Sequence, residues 1–266
     1  MARTLGRPVA VPLIALLVAG GLVAAGADQR PERVIRRVVL DPGHGGEDYG
    51  ARGASGLLEK DVVLAVSRKI GQALQKEGIK VVYTRSEDVF VTLPERTEIA
   101  NRAGADLYLS IHANSSSDPG VRGPETYFLS LEASDDEARR VALTENEVFD
   151  RDEAAADSGD VVGAILGDLI RTDHLRTSSE AAIAIQRELE RLPGPERGVK
   201  QAPFVVLMGV NMPAALLEIG FLTHPDEERA LAHARGRDAI ARAVAKGVLT
   251  LRKRQETSAM DRGAGQ

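Results

Sequence analysis

Two apolar runs stop at the same kind of place, and together they limit this chain to a small set of folds. Val38-Val39-Leu40 ends at Asp41-Pro42-Gly43-His44-Gly45-Gly46, and Leu107-Tyr108-Leu109-Ser110-Ile111 ends at His112-Ala113-Asn114. Short apolar runs bounded by turn residues are the signature of buried strands, the kind that parallel sheets use. Pro42 and its neighbouring glycines force a tight turn that exposes the imidazole of His44. Because α/β folds build their sites at strand ends, two histidines delivered this way point to a metal.

Strand-like and helix-like patterns alternate through the rest of the chain, as an α/β layer structure requires. The strands are expected at Val38–Leu40, Ile79–Thr84, Asp106–Ile111, Glu125–Leu129, Phe204–Leu207 and Ala214–Ile219. Val62, Val63, Val66, Ile70, Ala73 and Leu74 recur at helical spacing before a Glu77-Gly78 stop, which predicts a helix from Glu59 to Glu77. Further helices are expected over Leu93–Ala103, Ser178–Leu192 and Arg235 to about Arg254. The fold class is therefore α/β: a single three-layer domain over residues 38–254, with a central, mixed and mostly parallel sheet of about six strands flanked by helices. With 266 residues, 43% of them apolar, the chain is long enough for one such core. Residues 28–37 read as a polar linker and 255–266 as a disordered tail.

One segment differs from its surroundings. Glu132 to Asp160 holds eleven acidic residues against three arginines, whereas the whole chain carries a net charge of only −5. Such a run is ordinarily a solvated insertion, here spanning residues 132–177. Yet Ala138, Val141, Ala142, Val148 and Phe149 fall on one helical stripe, and Glu145 falls on the same stripe. Glu145 is expected to face inward.

At the N-terminus, Arg3 and Arg7 precede an apolar stretch from Val9 to Ala24, and Ala25-Gly26-Ala27 offers a cleavage site before Asp28. Residues 1–27 read as a secretory signal, or else as an uncleaved N-terminal anchor that would be the only membrane contact. Either way the body lies outside the cytoplasm, in the periplasm or cell envelope. The absence of cysteine excludes a disulfide framework and a thiolate zinc site. No basic run marks a nucleic-acid partner, and a monomer is expected.

Zinc hydrolases hold the ion with about three His or carboxylate ligands and leave one position for water. His44 and His112 supply two candidates. Glu59, after the Gly53-Ala54-Ser55-Gly56 loop, is the best third, although a first-turn carboxylate is also favoured by the helix dipole alone. Glu218 interrupts the apolar run Ala214-Ala215-Leu216-Leu217 before Ile219, where an ionised carboxylate is costly without a partner. Its position suits a general base whose pKa is raised by a partly dry pocket, the alternative being an edge-strand residue facing solvent. His174, after a polar Arg-Thr-Asp, His224, in a turn before Pro225, and His233, among alanines and arginines, are expected at the surface or behind the ligands, not as ligands themselves. Arg197-Gly198-Val199 is a candidate groove lining.

These residues form five ordered motifs: Leu40-Asp41-Pro42-Gly43-His44-Gly45-Gly46, Glu59-Lys60-Asp61, Arg96 with Ala100-Asn101, Ser110-Ile111-His112-Ala113-Asn114, and Leu217-Glu218-Ile219-Gly220-Phe221-Leu222. Taken together the chain resembles the zinc-dependent N-acetylmuramoyl-L-alanine amidases of the type 3 catalytic domain, from about Val38 to Leu251. The resemblance implies zinc on His44, Glu59 and His112, with Glu218 as catalytic base. It also implies hydrolysis of the amide between the lactyl group of N-acetylmuramic acid and L-alanine in peptidoglycan, serving cell-wall remodelling or daughter-cell separation. Some relatives plug the zinc site with a glutamate on an inserted helix, relieved by an activator protein, and Glu145-Asn146 looks like that family's Glu-Asn pair. Glu145 is thus a candidate autoinhibitory ligand. Two other readings stay open on the residues alone: a zinc carboxypeptidase or other amidohydrolase on the same scaffold, and an inactive wall-binding regulatory module.

Overall fold

The computed structural model describes residues 34–155 and 172–264, so the expected signal segment 1–27 lies outside the described residues. Six strands form one sheet: β1 (Arg37–Pro42), β2 (Lys80–Tyr83), β3 (Leu107–Asn114), β4 (Glu125–Leu129), β5 (Val199–Ala202) and β6 (Ala214–Phe221). Their order is β2-β1-β3-β6-β4-β5, and β2, β1, β3 and β6 run parallel to one another. β4 runs antiparallel to β6, with β5 parallel to β4 at the far edge. The expected mixed, mostly parallel α/β sheet is the one observed.

The helices among the described residues are α1 (Glu59–Lys76), α2 (Leu93–Ala103), α3 (Asp136–Ala155), α4 (Thr172–Leu189), α5 (Val205–Met208), α6 (Pro225–Ala232) and α7 (Ala234–Ala264). α2 keeps its expected bounds because both ends are marked in the sequence. Thr92 and Glu95 close a reciprocal capping box at the start, and Gly104 takes the left-handed conformation at the end.

Alternation along the strands sorts the core into two layers. Val38 and Leu40, Leu107, Leu109 and Ile111, and Ala215, Leu217 and Ile219 join α1, α4 and α7 on one face. Val39, Tyr108, Ala214 and Leu216 join α2, α5 and the buried side of α3 on the other. On this second face the same alternation changes character near the ends of the strands: Val39 is followed by Asp41, Tyr108 by Ser110 and His112, and Leu216 by Glu218. All four of these polar residues are buried.

Three expectations need correction. Phe204–Leu207 is not a strand: it leads into the short helix α5, because a brief apolar run carries no period, and these side chains fill the second core layer from a helical turn. The fifth strand is instead Val199–Ala202, whose polar Lys200 and Gln201 fit an edge strand. The last helix does not stop near Arg254 but continues to Ala264, and the disordered tail expected from residue 255 is helical over that stretch. Gln255 is buried and its side-chain oxygen accepts from the Ile35 amide at 3.1 Å, which ties this helix back to the entry of β1. That bond joins positions 220 residues apart and leaves no local pattern.

Candidate metal centre

His44 sits just past β1 at φ 57, a left-handed conformation that non-glycine residues adopt at a cost of about 1–3 kcal/mol. Two buried arginines hold it there. Arg96 donates to the carbonyls of His44 and Pro42, each at 2.8 Å, and Arg85 donates to those of Pro42 at 2.9 Å and Gly43 at 2.7 Å. Arg96 also pairs with Asp41 at 2.8 Å, and Asp41 accepts further bonds from Thr84, Tyr108 and Ser110. These donors hold the Asp41 carboxyl down to about 2 against the penalty of burial.

The turn then brings its histidine onto the end of β3. A Cβ at Gly43 would lie 2.3 Å from the His112 ring, and one at Gly50 would lie 2.5 Å from a Glu59 oxygen, so neither position admits a side chain. Asp48 accepts from His44 Nδ1 at 2.8 Å, which fixes the ring and aims Nε2 inward. Glu59 opens α1 but does not cap it. Its Oε2 takes the Ala51 amide at 2.7 Å, and its Oε1 takes the Ala113 amide at 2.9 Å.

Four ligand atoms, one each from His44, Glu59, His112 and Glu145, lie within 4.8 Å of one another. Glu59 Oε1 is 3.1 Å from both His44 Nε2 and His112 Nδ1, and Glu145 Oε2 is 2.8 Å from His112 Nδ1 and 3.4 Å from His44 Nε2. Two of these atoms, His44 Nε2 and Glu145 Oε2, are buried and have no hydrogen-bond partner among the described residues. Close approach without hydrogen-bond alignment is what converging metal ligands show. The protonation balance agrees. Burial opposes charge on both rings, yet Glu59, Asp48 and Glu145 raise His44 to about 10, and Glu145 and Glu59 raise His112 well above its ordinary value. Burial also opposes charge on Glu59, but the two rings hold it below the usual carboxylate range. The cluster thus favours positive charge at its centre, which a divalent cation would supply. The residues fit a hard or borderline cation with N and O ligands.

Glu218 stands beside His112 in register on the neighbouring strand, with Glu125 of β4 on its other side. It is fully buried in the middle of the sheet, not exposed at an edge, and neither oxygen has a hydrogen-bond partner among the described residues. Burial first, then Glu145 and the other nearby carboxylates, push its pKa well above the ordinary value, while His112 pulls the other way. His224 and His233 lie apart from the cluster: His224 caps α6 by accepting from the Asp226 amide at 3.3 Å, and His233 follows that helix.

α3 brings Glu145 to the cluster. Ala138, Val141 and Ala142 are buried on its inner side, while the expected Val148 and Phe149 contacts lie outside the described side chains. Asn146 fastens the helix by donating to the Pro203 carbonyl and accepting from the Val205 amide, both at 2.9 Å. Asp48, Asp41 and Glu125 are the residues that sequence reasoning did not place. Only Asp48 left a signal, its spacing four residues after His44.

Comparison with known proteins decides the family. The family model described as N-acetylmuramoyl-L-alanine amidase matches residues 38–250. The chain belongs to this amidase family. It is 39% identical over 218 residues to the N-acetylmuramoyl-L-alanine amidase AmiA of Escherichia coli (strain K12), covering 81% of this chain and 75% of that one. It is 36% identical over 228 residues to AmiC of Neisseria meningitidis serogroup B, covering 85% of this chain and 54% of that one. Among solved structures, the amidase AmiC2 of Nostoc punctiforme superposes with a TM-score of 0.58 at 32% identity, over 80% of this chain and 95% of that one. This is an amidase of the bacterial cell wall, with peptidoglycan as its substrate. The inactive wall-binding reading falls away. Among the described residues of the amidase, no helix is long and apolar enough to cross a membrane.

Proposed function

We propose that His44, Glu59 and His112 hold a zinc ion and that Glu218 is the general base for hydrolysis of the amide joining the lactyl group of N-acetylmuramic acid to L-alanine. The observation that carries this reading is the convergence of four ligand atoms within 4.8 Å, two of them buried without a partner. Zinc bound there supplies a Lewis acid that polarises the scissile carbonyl and lowers the pKa of water to roughly 7. Glu218 takes the proton from the attacking water and gives it to the leaving amine of L-alanine. Its raised pKa suits both transfers, since a base poised nearer neutrality holds the proton between the two steps. Glu59 keeps its orientation through the Ala51 and Ala113 amides, and Asp48 keeps that of His44.

In the resting state Glu145 takes the position that water needs, and a partner protein that draws α3 away relieves the block. The enzyme works as a secreted monomer, directed by residues 1–27 to the periplasm or cell envelope, in wall remodelling or daughter-cell separation. Purified protein is assayed on peptidoglycan with chelator, then with zinc restored. Activity that disappears and returns, with mass spectrometry showing stem peptides that begin with L-alanine, supports the reading. Release of C-terminal amino acids instead identifies a carboxypeptidase. Glu145→Ala is expected to raise basal hydrolysis, and no change overturns the resting block.

A further inference from the structure

Helix α3 brings a second carboxylate to the same cavity. Glu137 stands eight residues before Glu145, about 12 Å along the helix axis at roughly 1.5 Å per residue. Both residues line a cavity of about 390 Å³ beside the ligand cluster, with Val141 between them. Glu137 Oε2 lies 2.8 Å from Lys200 Nζ, and its other oxygen pairs with the Arg197 guanidinium. With α3 in place these cations are largely covered: the side chain of Arg197 is 17% exposed and that of Lys200 12%. The Arg197 guanidinium also lies 5.2 Å over the ring of Phe221, another residue of the cavity wall.

Beneath the two cations, Glu125 is fully buried. It accepts from Arg197 Nε at 2.7 Å and from the Tyr127 hydroxyl at 2.5 Å, and lies 2.8 Å from Lys200. Asp135, directly ahead of α3, is 3.4 Å from Lys200. With α3 seated, Arg197 and Lys200 therefore meet three carboxylates, and with α3 drawn away they meet Glu125 alone. Two cations facing one buried carboxylate leave an excess of positive charge beside the cavity, which favours a second carboxylate held by charge-assisted hydrogen bonds.

We propose that Arg197 and Lys200 form a carboxylate-binding subsite for the peptide of the substrate, and that Glu137 occupies it at rest. α3 then blocks the site at two points, with Glu145 where water is needed at the ligand cluster and Glu137 in place of substrate at the subsite. An extended peptide covers about 12 Å in three to four residues, so the recognised carboxylate lies a few residues beyond the scissile amide. The identity of that peptide rests on the amidase reading above.

The test reads binding without turnover. A free stem peptide with side carboxylates, and its carboxamide counterpart, are titrated by calorimetry into the Glu145→Ala chain and into Glu145→Ala with Glu137→Gln. The acidic peptide is expected to bind the double variant about tenfold more tightly than the single one, and the carboxamide peptide to bind both weakly and alike. Lys200→Gln added to the double variant is expected to reverse the gain. Arg197→Gln should do so too, but Lys200→Gln serves if loss of the guanidinium over buried Glu125 prevents folding. Equal binding of acid and carboxamide to the double variant overturns the subsite, as does indifference to Lys200→Gln. Selective binding of the acid, in a chain that hydrolyses no muramoyl amide when loaded with zinc, overturns the amidase mechanism and leaves the subsite standing.

Discussion

Asp41 and Glu218 lie on the same face of the same sheet, and both are fully buried. Asp41 is surrounded by donors from four residues: Arg96, Thr84, Tyr108 and Ser110. Glu218 has none among the described residues and faces other carboxylates instead. The first is held ionised at about 2, the second is pushed toward its neutral form. Burial alone therefore does not decide what a carboxylate is for; its partners do. Ionised and saturated, Asp41 is a fixed anchor for Arg96 and through it for the His44 turn. Unsatisfied, Glu218 keeps its affinity for a proton and is free to exchange one.

The difference breaks most visibly when each residue is made neutral. Glu218→Gln is expected to lower turnover by about 10²–10⁴-fold while the folded structure and metal content persist, read from initial rates on peptidoglycan and metal analysis of the same sample. Loss of folding in place of loss of rate would move Glu218 into the structural class. Asp41→Asn is expected to cost about 3–5 kcal/mol in urea denaturation, because Arg96 is left buried without its counter-charge. A neutral outcome there would show that the arginine's bonds to the carbonyls of Val91, Pro42 and His44 suffice.

The comparison sharpens with pH. The carboxyl of Asp41 is lower in the folded chain than its ordinary 3.8, so its contribution, about 2 kcal/mol, is complete above that value and lost as pH falls toward 2. Glu218 runs the other way. Its pKa is raised on folding, so its contribution is complete below the ordinary 4.5 and fades as pH rises. In metal-free protein, Asp41→Asn should flatten the acid side of the stability profile and Glu218→Gln the opposite side. The smallest effect is expected from Ser110→Ala, which removes one of Asp41's donors and should cost about 1 kcal/mol in the same denaturation assay.

The candidate site residues were legible because their signals are local. His44 and His112 end apolar runs, Glu59 opens a periodic helix, and Glu218 breaks a run where charge is expensive. Much of the remainder is set by pairings that no window of sequence contains. β5 escaped notice because Lys200 and Gln201 look like loop residues until Glu125 and Glu137 are placed against Lys200. Phe204–Leu207 passed for a strand because four apolar residues cannot show whether they repeat every two positions or every 3.6. Asp41 looked like part of a turn motif, and its donors arrive from positions between 43 and 69 residues away.

The left-handed backbone at His44 is held by the protein itself. Arg85 and Arg96 meet the cost of that conformation from within the protein, through bonds to the carbonyls of Pro42, Gly43 and His44. The turn is therefore a fixed part of the protein's own hydrogen-bond network, set by the arginines and not by whatever the cluster holds.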